Sequence, residues 1–278
     1  MSSNNHLITF STCWYNLKSK FDGKLYLQWI KHILSMVNNF NLVIYTNIET
    51  FSQIKSVINL SNRNIKIIIK PFEDFTTYKY KELWKKNHTT SKLKLHMFTD
   101  WKLNMVWNEK VFFVNETIKH NYFNTMYYGW CDIGYFRNTV TDLHTNYLSK
   151  WPNNEILYNR FNDNCIHYGC VQNDIITYAK LSLEIQTHYS DKLTTPPLKH
   201  LESVCFAGGF FILQPHLIDA YVQLYDDKLA YYFKNNYVIK DDQMIIMDII
   251  FTNSHLFTIH RETNPKYDHW FMFQRELL

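Results

Sequence analysis

"NLVIYTNIETFSQIKSVINLSNRNIKIIIKPF", residues 41–72, decides the fold class. "NLVIYTN" reads as a buried strand, "ETFSQIKSVI" as a helix and "NIKIIIKPF" as another strand. Toward the N-terminus, "LITFSTCWY" is a short apolar, β-branched run that breaks at "NLKSKFDGK". "LYLQWIKHILSMV" then sets Tyr26, Trp29, Ile30, Ile33 and Val37 at helical spacing. Strand, helix, strand, helix, strand is the order of a parallel sheet covered on both faces. Toward the C-terminus the pattern from Tyr78 to Asn121 is helical, with Trp107, Val111, Val114 and Ile118 in step, and it leads into a buried strand, "TMYYGWCDIGYF". After an irregular Asn-rich region come a helix at "NDIITYAKLSLEI" and a strand at "VCFAGGFFIL". Helices at "HLIDAYVQLYDDKLAYYF" and "DDQMIIMDII" and a short strand at "LFTIHR" complete the chain. The expected fold is α/β, a mostly parallel central sheet flanked by helices, in a single domain over residues 1–278.

Apolar residues make up 46% of the chain and aromatics 17%, enough for a large core, and 6 Gly with 6 Pro exclude a linker-rich or collagen-like protein. The net charge of +4 comes from 29 basic and 25 acidic residues, scattered except in "KYKELWKKNHTTSKLK". On a helix such a stretch is a solvated face, so no nucleic-acid partner is expected, whereas an anionic small molecule suits a weakly positive protein. Cys13, Cys131, Cys165, Cys170 and Cys205 form no CxxC pair and read as reduced thiols. No secretory leader and no bilayer-length apolar run is visible, and a cytoplasmic protein is expected.

Within the strand "MYYGWCDIGYF", Asp132 puts a carboxylate near a strand's carboxyl end, where ligands of open α/β sheets bind. Buried alone it would cost several kcal/mol, so it should meet a metal, a ligand hydroxyl or a basic side chain such as Arg137 or Lys110. Gly208 and Gly209 stand side by side in an apolar strand and imply a bulge or the close approach of another body to the backbone. Asp241 and Asp242, followed by Gln243, precede an apolar helix. One can serve as the N-cap, and the other exceeds what a cap needs and is a candidate general base. The C-terminal "IHRETNPKYDHWFMF" gathers His260, Arg261, Lys266, His269 and Trp270, residue types that hold metals or diphosphates. No HExxH, GxGxxG, Walker, GxSxG or kinase motif is present.

In order, "STCWYNLKSKF…YLQWIKHIL…LVIYTN", "WNEKVFFVNETIKHNYFNTMYYGWCDIGYFR", "AGGFF" and "DDQ" resemble the HtrL/YibB family of putative glycosyltransferases, with "WNEK…WCDIGYFR" the most specific part. More widely, the order resembles nucleotide-sugar transferases of the GT-A fold, in which a strand-end Asp-x-Asp touches the ribose and a metal bridging the diphosphate. The resemblance implies a Rossmann-like, GT-A-like domain with a nucleotide-binding half (1–138) and an acceptor-binding half (139–278). It implies a UDP-sugar donor, a glycan or other acceptor, and a divalent metal, Mn2+ by expectation. Thr9, Trp14, Tyr15, Tyr45, Thr46, Asn47, Lys110, Asp132 and Arg137 would hold the donor, with Trp14 or Tyr15 stacked on the base. Gly208, Gly209, Gln243 and Trp270 would line the donor sugar or the acceptor, while Asp132, Asp241 and Asp242 supply the catalytic carboxylates.

The second acid of the Asp-x-Asp pattern is here Gly134. A metal would be held by Asp132 with His260 or His269. Without one, Lys110, Arg137, Arg261 and Lys266 are the cations available to a departing diphosphate. The same departure leaves two other readings: a binding or scaffold protein on a degenerate transferase fold, and a nucleotide-sugar or phosphodiester hydrolase.

Overall fold

The computed structural model describes residues 6–90 and 92–278. One sheet runs through it, built from β1 (Ile8–Cys13), β2 (Asn41–Thr46), β3 (Ile65–Ile69), β4 (Tyr127–Cys131), β5 (Ile166–Cys170), β6 (Phe206–Leu213) and β7 (Phe257–Arg261). Its order is β3-β2-β1-β4-β6-β5-β7. Every pairing is parallel except those of β6, which runs antiparallel to β4 and β5. The mostly parallel, helix-flanked sheet expected from the sequence is therefore present.

The helices are α1 (Gly23–Ser35), α2 (Ile48–Lys55), α3 (Lys81–His88), α4 (Leu95–Phe98), α5 (Trp101–Trp107), α6 (Lys110–Lys119), α7 (Asn154–Arg160), α8 (Ile175–Ser190), α9 (Ile218–Lys234), α10 (Asp242–Thr252) and α11 (Phe273–Glu276). Successive strand residues face opposite sides, so each strand feeds two cores. Ile8, Phe10, Leu42 and Ile44 pack with Ile30 and Ile33 of α1 and Ile54 of α2. Val43 and Tyr45 face the other way, into a cluster with Val111, Phe113 and Val114 of α6 and the apolar residues of α9 and α10. Gly129 lets β6 approach β4, since a Cβ there would run into the carbonyl of Phe211.

Two readings of the sequence need correction. The continuous helical pattern from Tyr78 to Asn121 breaks into α3 to α6, because buried polar contacts overrule periodicity. At the α5–α6 junction, Asn108 donates to the carbonyl of Asn104 (2.9 Å) and accepts from the Tyr225 hydroxyl (3.0 Å). Glu109 accepts from the amides of Thr76 (2.7 Å) and Thr77 (3.0 Å) and from the Thr77 hydroxyl (2.6 Å). The Asn-rich region read as irregular contains β5, "IHYGC", whose histidine and glycine disguise a strand buried between β6 and β7. The basic stretch does form a solvated face: Lys79 pairs with Asp226 (2.6 Å), Lys85 with Glu82 (2.8 Å), and Lys86 donates to Asn236 (2.9 Å).

The position of α6 sets the site. The Thr117 hydroxyl bonds Ser11 of β1 (2.7 Å) and Tyr45 of β2 (2.9 Å), both buried, and fixes the helix across the sheet. Its first residue, Lys110, therefore stands over the carboxyl ends of β1 and β4.

Candidate functional site

From β1 the chain goes to β2 and β3 on one side of the sheet, and from β4 to the strands on the other. Where neighbouring parallel strands send their connections in opposite directions, the loops part and leave a crevice outside the carboxyl ends. Here it is a cleft with a wider arm of about 350 Å³ and a narrower one of about 120 Å³, both walled by Lys110, Asp132, Gly134 and Arg137.

Lys110 is the centre of the cleft floor. Its ammonium donates to the carbonyl of Gly208 (2.8 Å) and lies 3.1 Å from Asp132 Oδ1 and 2.9 Å from Asp242 Oδ2. The side chain is only 9% exposed. Burial alone would lower its pKa, but the two carboxylates outweigh that and raise it, so Lys110 stays cationic. Asp242, with a side chain 7% exposed, moves toward the neutral form because burial and the charge of Asp132 outweigh its share of Lys110. Both pKa values rise, which favours the charged form of Lys110 and the neutral form of Asp242, because one ammonium has two carboxylates beside it while Asp242 has only a share of that one cation.

Asp132 follows β4 directly. Its amide donates to the carbonyl of Gly209 (2.9 Å), and its Oδ1 accepts from the indole of Trp130 (2.6 Å). At 41% exposure the rest of the carboxylate is open to the cleft. The glycine pair makes room for these acids. A Cβ at Gly208 would overlap the carboxylate of Asp242, and one at Gly209 would meet Asp132 Oδ2 at 3.2 Å. The body that approaches the β6 backbone is thus the protein's own pair of carboxylates, beside any ligand in the cleft.

Asp241 occupies the N-cap position of α10 but its side chain makes no capping hydrogen bond. Its Oδ1 is shielded from solvent and has no hydrogen-bond partner among the described residues. Burial, and then the neighbouring charge of Asp242, pushes its pKa up to about 6.

Arg137 is held by aromatic rings: its guanidinium lies 4.5 Å from the centroid of Trp29, 4.9 Å from Phe271 and 5.2 Å from Phe21, and its Nε donates to the carbonyl of Gly134 (3.0 Å).

Of the residues expected from sequence, Lys110, Asp132, Arg137, Gly208, Gly209, Asp241, Asp242, Gln243 and Trp270 line the wider arm, and Trp14 and Tyr15 the narrower. Thr9, Tyr45, Thr46 and Asn47 are engaged elsewhere. The Thr9 hydroxyl bonds Thr125 (2.9 Å), Tyr45 stacks on Phe113 (4.5 Å), the Thr46 hydroxyl donates to the Trp14 carbonyl (2.7 Å), and Asn47 caps α2 through the Thr50 amide (3.0 Å). Strand alternation turned Thr9 and Tyr45 into the interior.

His260 and His269 are not among the lining residues. His260 bonds His167 (3.0 Å) and stacks on Phe161, and His269 bonds Asn173 (3.0 Å). Arg261 donates to the carbonyl of Gln172 (2.9 Å), and Lys266 lies over Tyr267. Lys20, Phe21 and Asp268 also line the cleft, and as single residues away from a strand end or helix start they carry no signal in the sequence; Tyr26 and Trp107, which the helical spacing assigns to apolar helix faces, line it too.

These donors do not fit a protein-held metal. Among the described residues no three His, Cys, Asp or Glu side chains are grouped to hold an ion. Position 134 cannot supply the second acid, since a Cβ there would stand 2.8 Å from Trp29 Cε3.

No family model matches the chain, and no curated protein sequence matches it. No helix among the described residues is long and apolar enough to cross a membrane. Among solved structures, apo mouse xyloside xylosyltransferase 1 aligns with a TM-score of 0.48 and 12% identity over 99% of this chain and 94% of its own. The 4-diphosphocytidyl-2C-methyl-D-erythritol synthase of Anaerococcus prevotii aligns with a TM-score of 0.43 and 10% identity over 94% and 90%.

Proposed function

We propose that the chain is a glycosyltransferase of GT-A and HtrL/YibB type, which moves a sugar from a nucleotide-sugar, a UDP-sugar by preference, to a hydroxyl of a glycan or other acceptor. The observation that carries this reading is the two-armed cleft at the β1–β4 switch point, with an open carboxylate, Asp132, where the arms meet. The narrower arm, walled by Trp14, Tyr15 and Trp107, suits a base and ribose. Asp132 accepts a ribose or sugar hydroxyl at the junction. The wider arm, with Gly208, Gly209, Gln243 and Trp270, takes the sugar and admits the acceptor.

Asp241 is the general base in this scheme. Its unpartnered oxygen and raised pKa suit a group that is ionised near neutrality yet basic enough to take a proton. As the acceptor oxygen attacks the anomeric carbon, its proton passes to Asp241, the carbon–oxygen bond to the diphosphate breaks, and the electron pair leaves with the nucleoside diphosphate. Asp242 and Lys110, buried and paired, hold the floor in shape.

Gly134 in place of an acid favours one rival reading, a binding module without turnover. A thermal-shift panel of nucleotide sugars, with nucleoside diphosphate release measured in parallel, separates the two, because a ligand that binds only the folded state raises its apparent stability. The transferase reading requires both a shift and release, and Asp132→Asn should weaken both by about tenfold, about 1.4 kcal/mol, with the fold retained. A shift without release supports the binding module, and neither signal from any nucleotide sugar refutes both.

A further inference from the structure

A departing nucleoside diphosphate needs positive charge beside its oxygens as the bond breaks. Under the nucleotide-sugar reading, on which this inference rests, the cleft offers few sources. Position 134 is closed to an acid by Trp29, and no three-ligand group is present among the described residues. The ammonium of Lys110 donates to the carbonyl of Gly208 and is paired with the carboxylates of Asp132 and Asp242, 3.1 Å and 2.9 Å away, so its charge is already balanced inside the protein.

Arg137 differs. Three aromatic rings fix its guanidinium, and ring faces attract a cation without cancelling its charge as a carboxylate does. Its Nε is tied to Gly134, and its Nη groups make no hydrogen bond among the described residues. It borders both arms, where the link between nucleoside and sugar must lie. A planar fork of N–H donors matches phosphate oxygens. Lys20, exposed and 5.6 Å from the Trp107 ring centroid, is a second cation on the wider arm.

We infer that Arg137, seconded by Lys20, binds the diphosphate directly and carries the leaving-group charge without a divalent ion. The arginine would thus do by a preset fork what a bridging metal does by coordination.

Calorimetric titration of uridine, UMP and UDP, with the guanosine, cytidine, adenosine and thymidine series in parallel, tests this in EDTA and in Mn2+. The preferred nucleoside diphosphate should bind about tenfold or more tighter than its nucleoside in EDTA, and Mn2+ should change that by less than about threefold. Arg137→Gln should remove most of the increment and leave nucleoside affinity unchanged, with Arg137→Lys intermediate. Lys20→Gln, at an exposed position where folding is not at stake, should remove part of it, and decides the matter if the Arg137 variants do not fold. An increment that appears only with Mn2+, or that survives both neutral substitutions, overturns the inference and leaves the nucleotide-sugar reading standing. Absence of binding by every nucleotide in both buffers overturns the two together.

Discussion

Replacing Lys110 by Met removes the ammonium paired with Asp242 while keeping most of the side-chain volume. Asp242 is then buried without a counter-charge, and the cheapest response is to take up a proton. An unfolded carboxylate titrates near about 3.9, so at pH 7 protonation costs about three pH units at about 1.4 kcal/mol each, or about 4 kcal/mol. Stripping one partner from a buried pair costs about 3–5 kcal/mol, which agrees. The figure is a ceiling, because burial already raises the wild-type Asp242. Asp132, 41% exposed, adds little after solvent screening. The sign follows from proton uptake: the folded variant binds a proton that the unfolded chain releases above about pH 4, so its stability recovers as pH falls. At pH 5 the ceiling is about 1.5 kcal/mol. Urea denaturation of wild type and variant at both pH values, followed by tryptophan fluorescence, measures the difference. A deficit below about 1 kcal/mol at pH 7, or one that does not shrink on acidification, would refute the account of Lys110 as the buried counter-charge.

Two further outcomes follow from the site. With Asp241 as base and its pKa pushed up to about 6, turnover should fall about tenfold per pH unit below that value as the carboxylate takes up its proton, and Asp241→Asn should abolish this limb of the pH–rate profile. Gly134→Asp restores the acid of the Asp-x-Asp pattern but drives a Cβ toward Trp29, so thermal melts should show a loss of about 1–3 kcal/mol, and Mn2+ should not reverse it.

Most of the sheet was legible because β1, β2, β4 and β6 are apolar runs bounded by clear breaks, and α1 and α9 keep a helical period. Legibility failed where tertiary contacts supplied the order. The carboxylate of Glu109 is taken by Thr76 and Thr77, which end the helical run that periodicity extends. β5 is held by two neighbours rather than by its own five residues. In the site, strand-end and helix-start positions exposed Asp132 and Asp241, and the glycine pair marked β6. Thr9 and Tyr45 were misplaced because a period of two tells which residues share a face and not which of them reach the end of the strand. His260 was misplaced because its partner, His167, belongs to the strand that was missed.

The antiparallel strand β6 also dictates when the cleft can exist. Lys110 and Gly208 are 98 residues apart in the chain, and Asp242 lies further on still, at the start of α10. Contacts of such sequence separation close slowly, since the intervening loop loses its entropy before the contact returns anything. During synthesis Lys110 emerges long before two of its three partners and must wait, hydrated, at the end of a helix whose covering α9 and α10 have not been made. The charge cluster is therefore complete only once α10 has been made, and a chain cut short of α10 has β1 to β6 but lacks the Asp242 that completes the floor of its cleft.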